Sequence, residues 1–218
     1  MEQVVSVLGI ENVTLFITTG IVLNLYPGPD TLYIVGRSLS QGRGAGVAAA
    51  LGIGSGTIVH TLLGAFGLSA LLATSVHAFV ILKIAGCGYL LYQGITMLCS
   101  TVHQGGRIPA ESIPVSLPKI YRQGALTNIL NPKVAVFFLA FLPQFISLSS
   151  PSKPFSFVIL GMVFMTTGTI WCLVVALFAS SFGRHLNRSS TASKQLRRMS
   201  GILFILLGLK LATARLNP

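Results

Sequence analysis

The sequence predicts an all-α integral membrane protein with six transmembrane helices, arranged as two inverted repeats of three helices. Three observations lead to this fold class. Of the 218 residues, 52% are apolar and only 9% are charged, whereas a soluble domain carries roughly 25% charged residues. Six separate stretches are apolar over the roughly 20 residues that a membrane span needs. Proline motifs interrupt the first and the fourth of these stretches, at corresponding places in the two halves of the chain.

The predicted spans follow one another with short connections. The first and the fourth are broken helices, interrupted at Pro27-Gly28-Pro29 and at Asn131-Pro132, because proline lacks an N–H and clashes with the preceding turn. The second span is very rich in small residues. The predicted bounds of the six spans are about 12–36, 46–73, 77–99, 121–146, 155–181 and 199–216.

A polar loop at about 101–119 divides the single predicted transmembrane domain, 1–218, into two repeats, about 1–100 and about 120–218. The repeats share a short motif, Gly20-x3-Asn24-x2-Pro27 in span 1 and Gly124-x3-Asn128-x3-Pro132 in span 4. Three spans per repeat mean that the second copy enters the membrane inverted. Inverted repeats with broken helices in corresponding positions indicate a transporter site.

The distribution of Lys and Arg predicts the orientation. Ten of the fifteen basic residues lie between spans 1 and 2, 3 and 4, or 5 and 6, which places these connections in the cytoplasm and both termini outside. The basic connections that produce the net charge of +11 are therefore expected to face the lipid bilayer. Because the basic residues form no basic helix face, the sequence excludes nucleic acid as a partner. The ten residues are Arg37, Arg43, Arg107, Lys119, Arg122, Arg184, Arg188, Lys194, Arg197 and Arg198.

The break in span 1 carries a charge. Pro27-Gly28-Pro29 is followed by Asp30, and a broken helix in hydrocarbon is tolerated only where protein or water satisfies the freed backbone groups. A carboxylate at membrane depth is costly and by default marks a functional site. The alternative is a structural kink whose aspartate caps the next helix, since Asp is a good N-cap.

The break in span 4 carries the opposite charge, because Lys133 follows Asn131-Pro132 directly. Two interpretations are open. The two charges pair in a static salt bridge, which lowers the desolvation cost of both, or Asp30 takes a proton or a substrate amine and Lys133 takes a substrate carboxylate. The amides of Asn24, Asn128 and Asn131 in the same spans either line the pathway or cap the broken backbone.

His60 lies on a stripe of span 2, Gly52-x3-Gly56-x3-His60-x3-Gly64. Small residues at this spacing let helices approach closely, and the histidine is either a packed neutral side chain or part of a proton relay. The three cysteines form no CxxC, so neither a redox pair nor a zinc site is predicted. The sequence offers no Ser/His/Asp, Cys/His or HExxH arrangement. We therefore predict no catalytic residue, no metal, no cofactor and no enzymatic activity.

Several motifs in chain order make the sequence similar to one family. It resembles the lysine-exporter (LysE/RhtB-type) translocators of bacteria over nearly its whole length. The motifs are Pro27-Gly28-Pro29-Asp30-Thr31, Arg37-Ser38-Leu39-Ser40-Gln41-Gly42-Arg43-Gly44-Ala45-Gly46, the run 52–60, Leu82-Lys83-Ile84-Ala85-Gly86 with Tyr89-Leu90, and Gly124-x6-Asn131-Pro132-Lys133 with Phe141-Leu142-Pro143-Gln144-Phe145.

The resemblance implies a six-span protein of the bacterial plasma (inner) membrane that exports amino acids and is driven by the proton gradient. It also places Thr31, beside Asp30, in the predicted pathway. The shared motifs do not choose among substrates, and whether the chain forms a homo-oligomer is left open. Three other interpretations compete: an exporter of another small metabolite or ion, a membrane-embedded enzyme, and a structural subunit.

Overall fold

The computed structural model describes residues 8–68, 76–99, 114–147 and 150–186, together with 198, 201–202, 204–206, 208–209 and 212–213. Within these residues the regular structure is helical, apart from one isolated antiparallel bridge between Ile10 and Ile146. The all-α part of the predicted fold class is therefore confirmed. Predicted span 6 falls largely outside the described residues, as do loop residues 101–113 and the basic residues Arg107, Arg188, Lys194, Arg197, Lys210 and Arg215.

The principal helices are numbered here in chain order. The helices Leu117–Ile129 (α5) and Pro132–Val136 (α6) are bent by 47° at the break between them. A π-helical turn over Leu63–Leu68 continues Arg43–Leu62 (α3), and another over Phe137–Phe141 continues α6. A 3-10 turn follows at Leu142–Phe145. The helices are α1 (Val13–Leu25), α2 (Pro29–Gln41), α3 (Arg43–Leu62), α4 (Val76–Cys99), α5 (Leu117–Ile129), α6 (Pro132–Val136) and α7 (Lys153–Leu186).

Two described helices, Arg43–Leu68 and Lys153–Ala179, are each long and apolar enough to cross a membrane. The bent pair Leu117–Ile129 and Pro132–Phe145 makes a third when it is counted as one span. These correspond to predicted spans 2, 5 and 4. The six-span repeat is not established by this part of the chain, and it stays a prediction.

Two helix boundaries differ from the predicted ones, one at a glycine and one at a proline. Only Gly42 separates α2 from α3, and its φ of +83° lies in the region that favours glycine. A single residue therefore replaces the expected gap between spans 1 and 2. The α5 helix begins at Leu117, inside the predicted loop, because proline at position 118 is tolerated in a first helical turn.

Both predicted breaks are present, and each restarts in the same way. Pro29 follows the N-cap residue Gly28 at the start of α2, and Pro132 follows the N-cap residue Asn131 at the start of α6. Proline suits a first helical position because its missing N–H would have no partner there. The Asn131 side chain accepts a 3.0 Å hydrogen bond from the Lys133 backbone N–H, so it caps the restarted helix.

The two broken segments run antiparallel to each other. At one end, the Glu11 N–H donates to the Phe145 carbonyl over 2.8 Å. In the middle, Lys133 reaches the end of α1. At the other end, the Gln41 amide donates to the Val115 carbonyl over 2.8 Å. The chain direction of α1 and α2 is thus opposite to that of α5 and α6.

Small residues bring α3 and α5 into backbone contact. A Cβ at Gly56 would lie 2.7 Å from the Ala125 carbonyl oxygen and 2.7 Å from the Cβ of Asn128. A Cβ at Gly124 would lie 2.6 Å from the Ala49 carbonyl oxygen. The stripe of span 2 is therefore a packing surface. It places α3 directly against the helix that carries Asn128.

Two buried clusters lie toward opposite ends of the broken helices. An aromatic cluster packs around Phe16, whose ring centroid is 5.7 Å from that of Phe137 and 5.3 Å from that of Phe145. A cluster of smaller side chains includes Ile34, Ala49 and Ile120. Large apolar side chains also face outward, as the 70% exposure of Leu130 shows. An outward apolar surface is what a bilayer requires.

Candidate functional site

Asp30 and Lys133 hold equivalent positions in the two broken helices. Each is the residue after a proline at the start of a helix, α2 for Asp30 and α6 for Lys133. The positive end of a helix dipole favours the carboxylate of Asp30 and disfavours the ammonium of Lys133. Both side chains are 8% exposed. Lys133 therefore needs acceptors from elsewhere in the fold.

Those acceptors come from the other broken helix. The Lys133 ammonium donates to the carbonyl oxygens of Leu23, at 3.1 Å, and Tyr26, at 3.2 Å. It also lies 5.6 Å from the centroid of the Tyr26 ring. The last carbonyls of a helix have no partner within it and carry the negative end of its dipole. Lys133 thus caps α1 across the interface between the two broken helices.

Asp30 is held by an amide from α5. The Asn128 Nδ2 donates to one carboxylate oxygen, Oδ2, over 2.9 Å. Oδ1 has no hydrogen-bond partner among the described residues. Since Asn128 Nδ2 is the donor, its Oδ1 is free to accept from the Thr57 hydroxyl at 3.3 Å. The carboxylate is therefore held through one oxygen, while its other oxygen is buried without a partner in the described chain.

His60 is hydrogen-bonded to the backbone of Asn128. Its Nε2 lies 3.0 Å from the Asn128 backbone carbonyl oxygen, and because a carbonyl only accepts, Nε2 carries the proton. The His60 ring is 6% exposed and packs 5.7 Å from the Phe138 ring, centroid to centroid. The side chain is thus a packed, hydrogen-bonded histidine adjacent to the site.

A small cavity lies between the broken helices, α3 and α7. Its volume is about 20 Å³, and roughly 10–15 Å³ of such space holds one water molecule. An amino acid is several times larger than water, so the site must widen to accept one. The lining residues are Asn24, Asp30, Thr31, Ile53, Gly54, Thr57, Asn128, Lys133, Val134, Phe164, Gly168, Thr169 and Cys172.

The two buried charges line the same cavity but form no ion pair among the described residues. In the described part of the chain, no direct ion pair links Asp30 to Lys133; the first is bonded to Asn128 and the second to two carbonyls. The static salt bridge is thus not formed in this structure. The division of roles between the two charges stays a prediction.

The other predicted residues fall into two groups. Asn24 and Thr31 line the cavity with Asp30, Asn128 and Lys133. Asn131 is not among the lining residues, and its side-chain oxygen caps α6. The motif residues that form the breaks are Pro27, Gly28, Pro29 and Pro132.

Several lining residues were not predicted from the sequence. Thr57 lies three residues before His60 on the same face of α3, so periodicity could have identified it. Thr169 and Cys172 lie on α7, a long apolar helix. Neither a charge nor a break in span 5 indicates which of its faces meets the cavity.

Broken helices, buried opposite charges and a cavity between them are features of membrane transporter sites. The family model for the LysE type translocator matches residues 21–215. The chain belongs to the LysE type translocator family and is a multi-pass membrane transporter, not an enzyme. The predicted resemblance is confirmed.

Curated relatives match over nearly the whole chain. The leucine efflux protein of Salmonella choleraesuis (strain SC-B67) is 27% identical over 94% of this chain and 96% of its own length. The leucine efflux protein of Salmonella typhi has the same identity and coverage. An uncharacterized membrane protein of Vibrio cholerae is 30% identical over 92% of this chain and 96% of its own. No solved structure matches the chain.

Proposed function

We propose that this protein exports amino acids across the bacterial inner membrane as a proton-driven secondary transporter. The observation that carries the proposal is the buried carboxylate of Asp30, which lines the cavity at a broken helix and has one oxygen unpartnered among the described residues. A costly intramembrane charge with open binding capacity suits a proton or a substrate ammonium. The leucine efflux relatives support an amino acid as cargo.

The proposed architecture is six spans in two inverted repeats, with both termini outside. The antiparallel course of the broken segments supports it, because inverted repeats bring equivalent helices together head to tail. The bonds of Gln41 and Gln123 to the opposite broken segment lie at the end that carries Arg37, Arg43 and Arg122. That end is the proposed cytoplasmic one, by the excess of basic residues.

Transport then requires the small cavity to widen and to open to one side at a time. The aromatic cluster around Phe16 and the Glu11–Phe145 backbone bond close the proposed outer end. The bonds from Gln41 to Val115 and from Arg37 to Gln123 close the proposed inner end. We propose that Asp30 couples these openings to proton movement, because its protonation removes a buried charge between them.

Proteoliposomes test the proposal. Purified protein is reconstituted, the vesicles are loaded with single labelled amino acids, and a pH gradient is imposed. We expect efflux of at least one amino acid that accelerates when protons can exchange for it and slows with a protonophore. An efflux rate that does not change with the protonophore would reject proton coupling. Release of every amino acid at the rate seen in vesicles without protein would reject amino-acid export.

A whole-cell measurement identifies the cargo independently. Cells that overproduce the protein are fed dipeptides, which raise single amino acids inside the cell, and the medium is sampled over time. The exported amino acid should appear outside faster than in cells that carry the empty vector. Faster release of a different small metabolite, with no amino acid affected, would favour the alternative cargo.

A further inference from the structure

The two halves of the site use equivalent asparagines differently. Asn24 and Asn128 follow Gly20 and Gly124 at the same spacing, one in each broken segment. Both polar atoms of the Asn128 side-chain amide are hydrogen-bonded, the nitrogen to Asp30 and the oxygen to Thr57. The Nδ2 of Asn24 is buried and has no partner within the described residues. The internal symmetry of the site is therefore broken at Asn24.

An unpartnered acceptor accompanies this unpartnered donor. Oδ1 of Asp30 and Nδ2 of Asn24 are both buried without partners in the described chain, and both residues line the same cavity. Buried polar atoms in native proteins are almost always hydrogen-bonded, and each exception calls for an explanation. One acceptor and one donor in one cavity match a ligand with a donor group and an acceptor group.

We propose that Asn24 Nδ2 binds the carboxylate of a zwitterionic amino acid, while Asp30 Oδ1 accepts from its ammonium. The inference rests on the proposed function and names the groups that select the substrate. The obvious alternative donor to the substrate carboxylate is the Lys133 ammonium, but two of its N–H groups already donate to the carbonyls at the end of α1. Lys133 then contributes positive charge to the site, and Asn24 supplies the directed hydrogen bond.

The same cavity selects the substrate side chain. Asp30 and Lys133 are the charged residues among those that line it. The substrate ammonium already balances the charge of Asp30, and the substrate carboxylate already balances that of Lys133. A charged substrate side chain would enter without a counter-charge, which is costly in a buried site. The remaining wall includes Ile53, Val134 and Phe164. The preferred amino acid therefore carries a neutral, apolar side chain.

Stability and binding should separate at these two asparagines. Because Asn24 Nδ2 makes no bond in the described fold, replacing the amide by an apolar group of similar size should cost little stability. Asn128 is hydrogen-bonded to Asp30 and Thr57. Replacing Asn128 by leucine therefore removes both hydrogen bonds and leaves the polar groups of Asp30 and Thr57 without these partners. Asn128→Leu is thus the matched structural control for Asn24→Leu.

The test measures binding to the full chain purified in detergent, with L-leucine as the probe. Its decarboxylated form, 3-methylbutylamine, serves as the analogue that lacks the carboxylate. Wild-type protein should bind leucine about 10- to 100-fold more tightly than the amine, as expected for a hydrogen bond to a charged group. Asn24→Leu should lose that ratio while its affinity for the amine and its melting temperature stay the same. Asn128→Leu should melt at a lower temperature.

Each other result has a defined meaning. Unchanged leucine affinity in Asn24→Leu overturns the inference and leaves amino-acid export standing. A melting temperature lowered as in Asn128→Leu, and lowered equally in the smaller variant Asn24→Ser, makes the amide structural, which also overturns it. A wild type that binds lysine but not leucine overturns the neutral-side-chain part. A wild type that neither binds nor transports any amino acid rejects the proposed function itself.

Discussion

The ammonium of Lys133 donates a 3.1 Å hydrogen bond to the carbonyl oxygen of Leu23, so a charge from one broken helix caps the other. The reverse contact also exists, because Asn128, just before the second break, holds Asp30, just after the first. Each break is therefore stabilised by a side chain of the opposite segment. Movement at one break must change the hydrogen bonds of the other.

Removing Lys133 should destabilise the fold through these carbonyls. We expect Lys133→Met to lower the free energy of unfolding by about 1.5–3 kcal/mol, because hydrogen bonds to a charged group are lost. Chemical denaturation in detergent measures it. Lys119→Met, at an exposed position of α5, is the control and should stay within about 0.5 kcal/mol of wild type.

The double variant Asp30→Asn/Lys133→Met distinguishes capping from ion pairing. A buried ion pair leaves an uncompensated charge when one partner is removed, and neutralising the other partner then restores stability. Here the lost bonds go to backbone carbonyls, so the double variant should be no more stable than Lys133→Met. Recovery of stability would show that the two charges act as a pair.

Neutralising Asp30 should separate folding from coupling. Asp30→Asn keeps an oxygen that can accept from Asn128, and it forfeits roughly 0.3–1 kcal/mol of favourable charge at the start of α2. We expect a folded protein whose efflux no longer responds to a pH gradient in proteoliposomes. Glu11→Gln replaces an exposed acid outside the cavity and should respond as wild type does. Gradient-driven efflux by Asp30→Asn at the native rate would remove Asp30 from proton coupling.

The contact between α3 and α5 should tolerate no added methyl group. A Cβ at Gly56 would lie 2.7 Å from the Ala125 carbonyl oxygen, so Gly56→Ala should cost about 1–3 kcal/mol through overpacking. Gly88→Ala on α4 is the matched control, because a Cβ there meets no atom of the described structure within 4 Å. Thermal unfolding compares the two. Equal melting temperatures would argue against this helix contact.

The orientation can be tested with single cysteines in a variant in which Cys87, Cys99 and Cys172 are replaced. His103→Cys lies outside the described residues, in the loop predicted to be cytoplasmic. It should be protected from an impermeant thiol reagent in intact cells and labelled after permeabilisation. Pro151→Cys, exposed before α7, should be labelled without permeabilisation. Labelling of His103→Cys in intact cells would invert the predicted topology.

Sequence by itself determined where the helices are interrupted and which charges lie at the breaks. Prolines at positions 29 and 132 act locally, through a missing N–H and a fixed backbone angle, so their effect is readable without the fold. The same holds for the apolar stretches of α3 and α7. Even there, the turn at Gly42 was missed, because a one-residue connection depends on how α2 and α3 pack.

Only the tertiary structure decided what each polar group touches. Asn128 and Asp30 are 98 positions apart, and Lys133 and Leu23 are 110 apart, so these bonds depend on the antiparallel docking of two distant segments. The same docking determined which carboxylate oxygen of Asp30 is left without a partner among the described residues, and it brought Thr169 and Cys172 to the cavity. Local patterns describe which groups need a partner; the packing of helices chooses the partner, because hydrogen bonds require contact within about 3 Å.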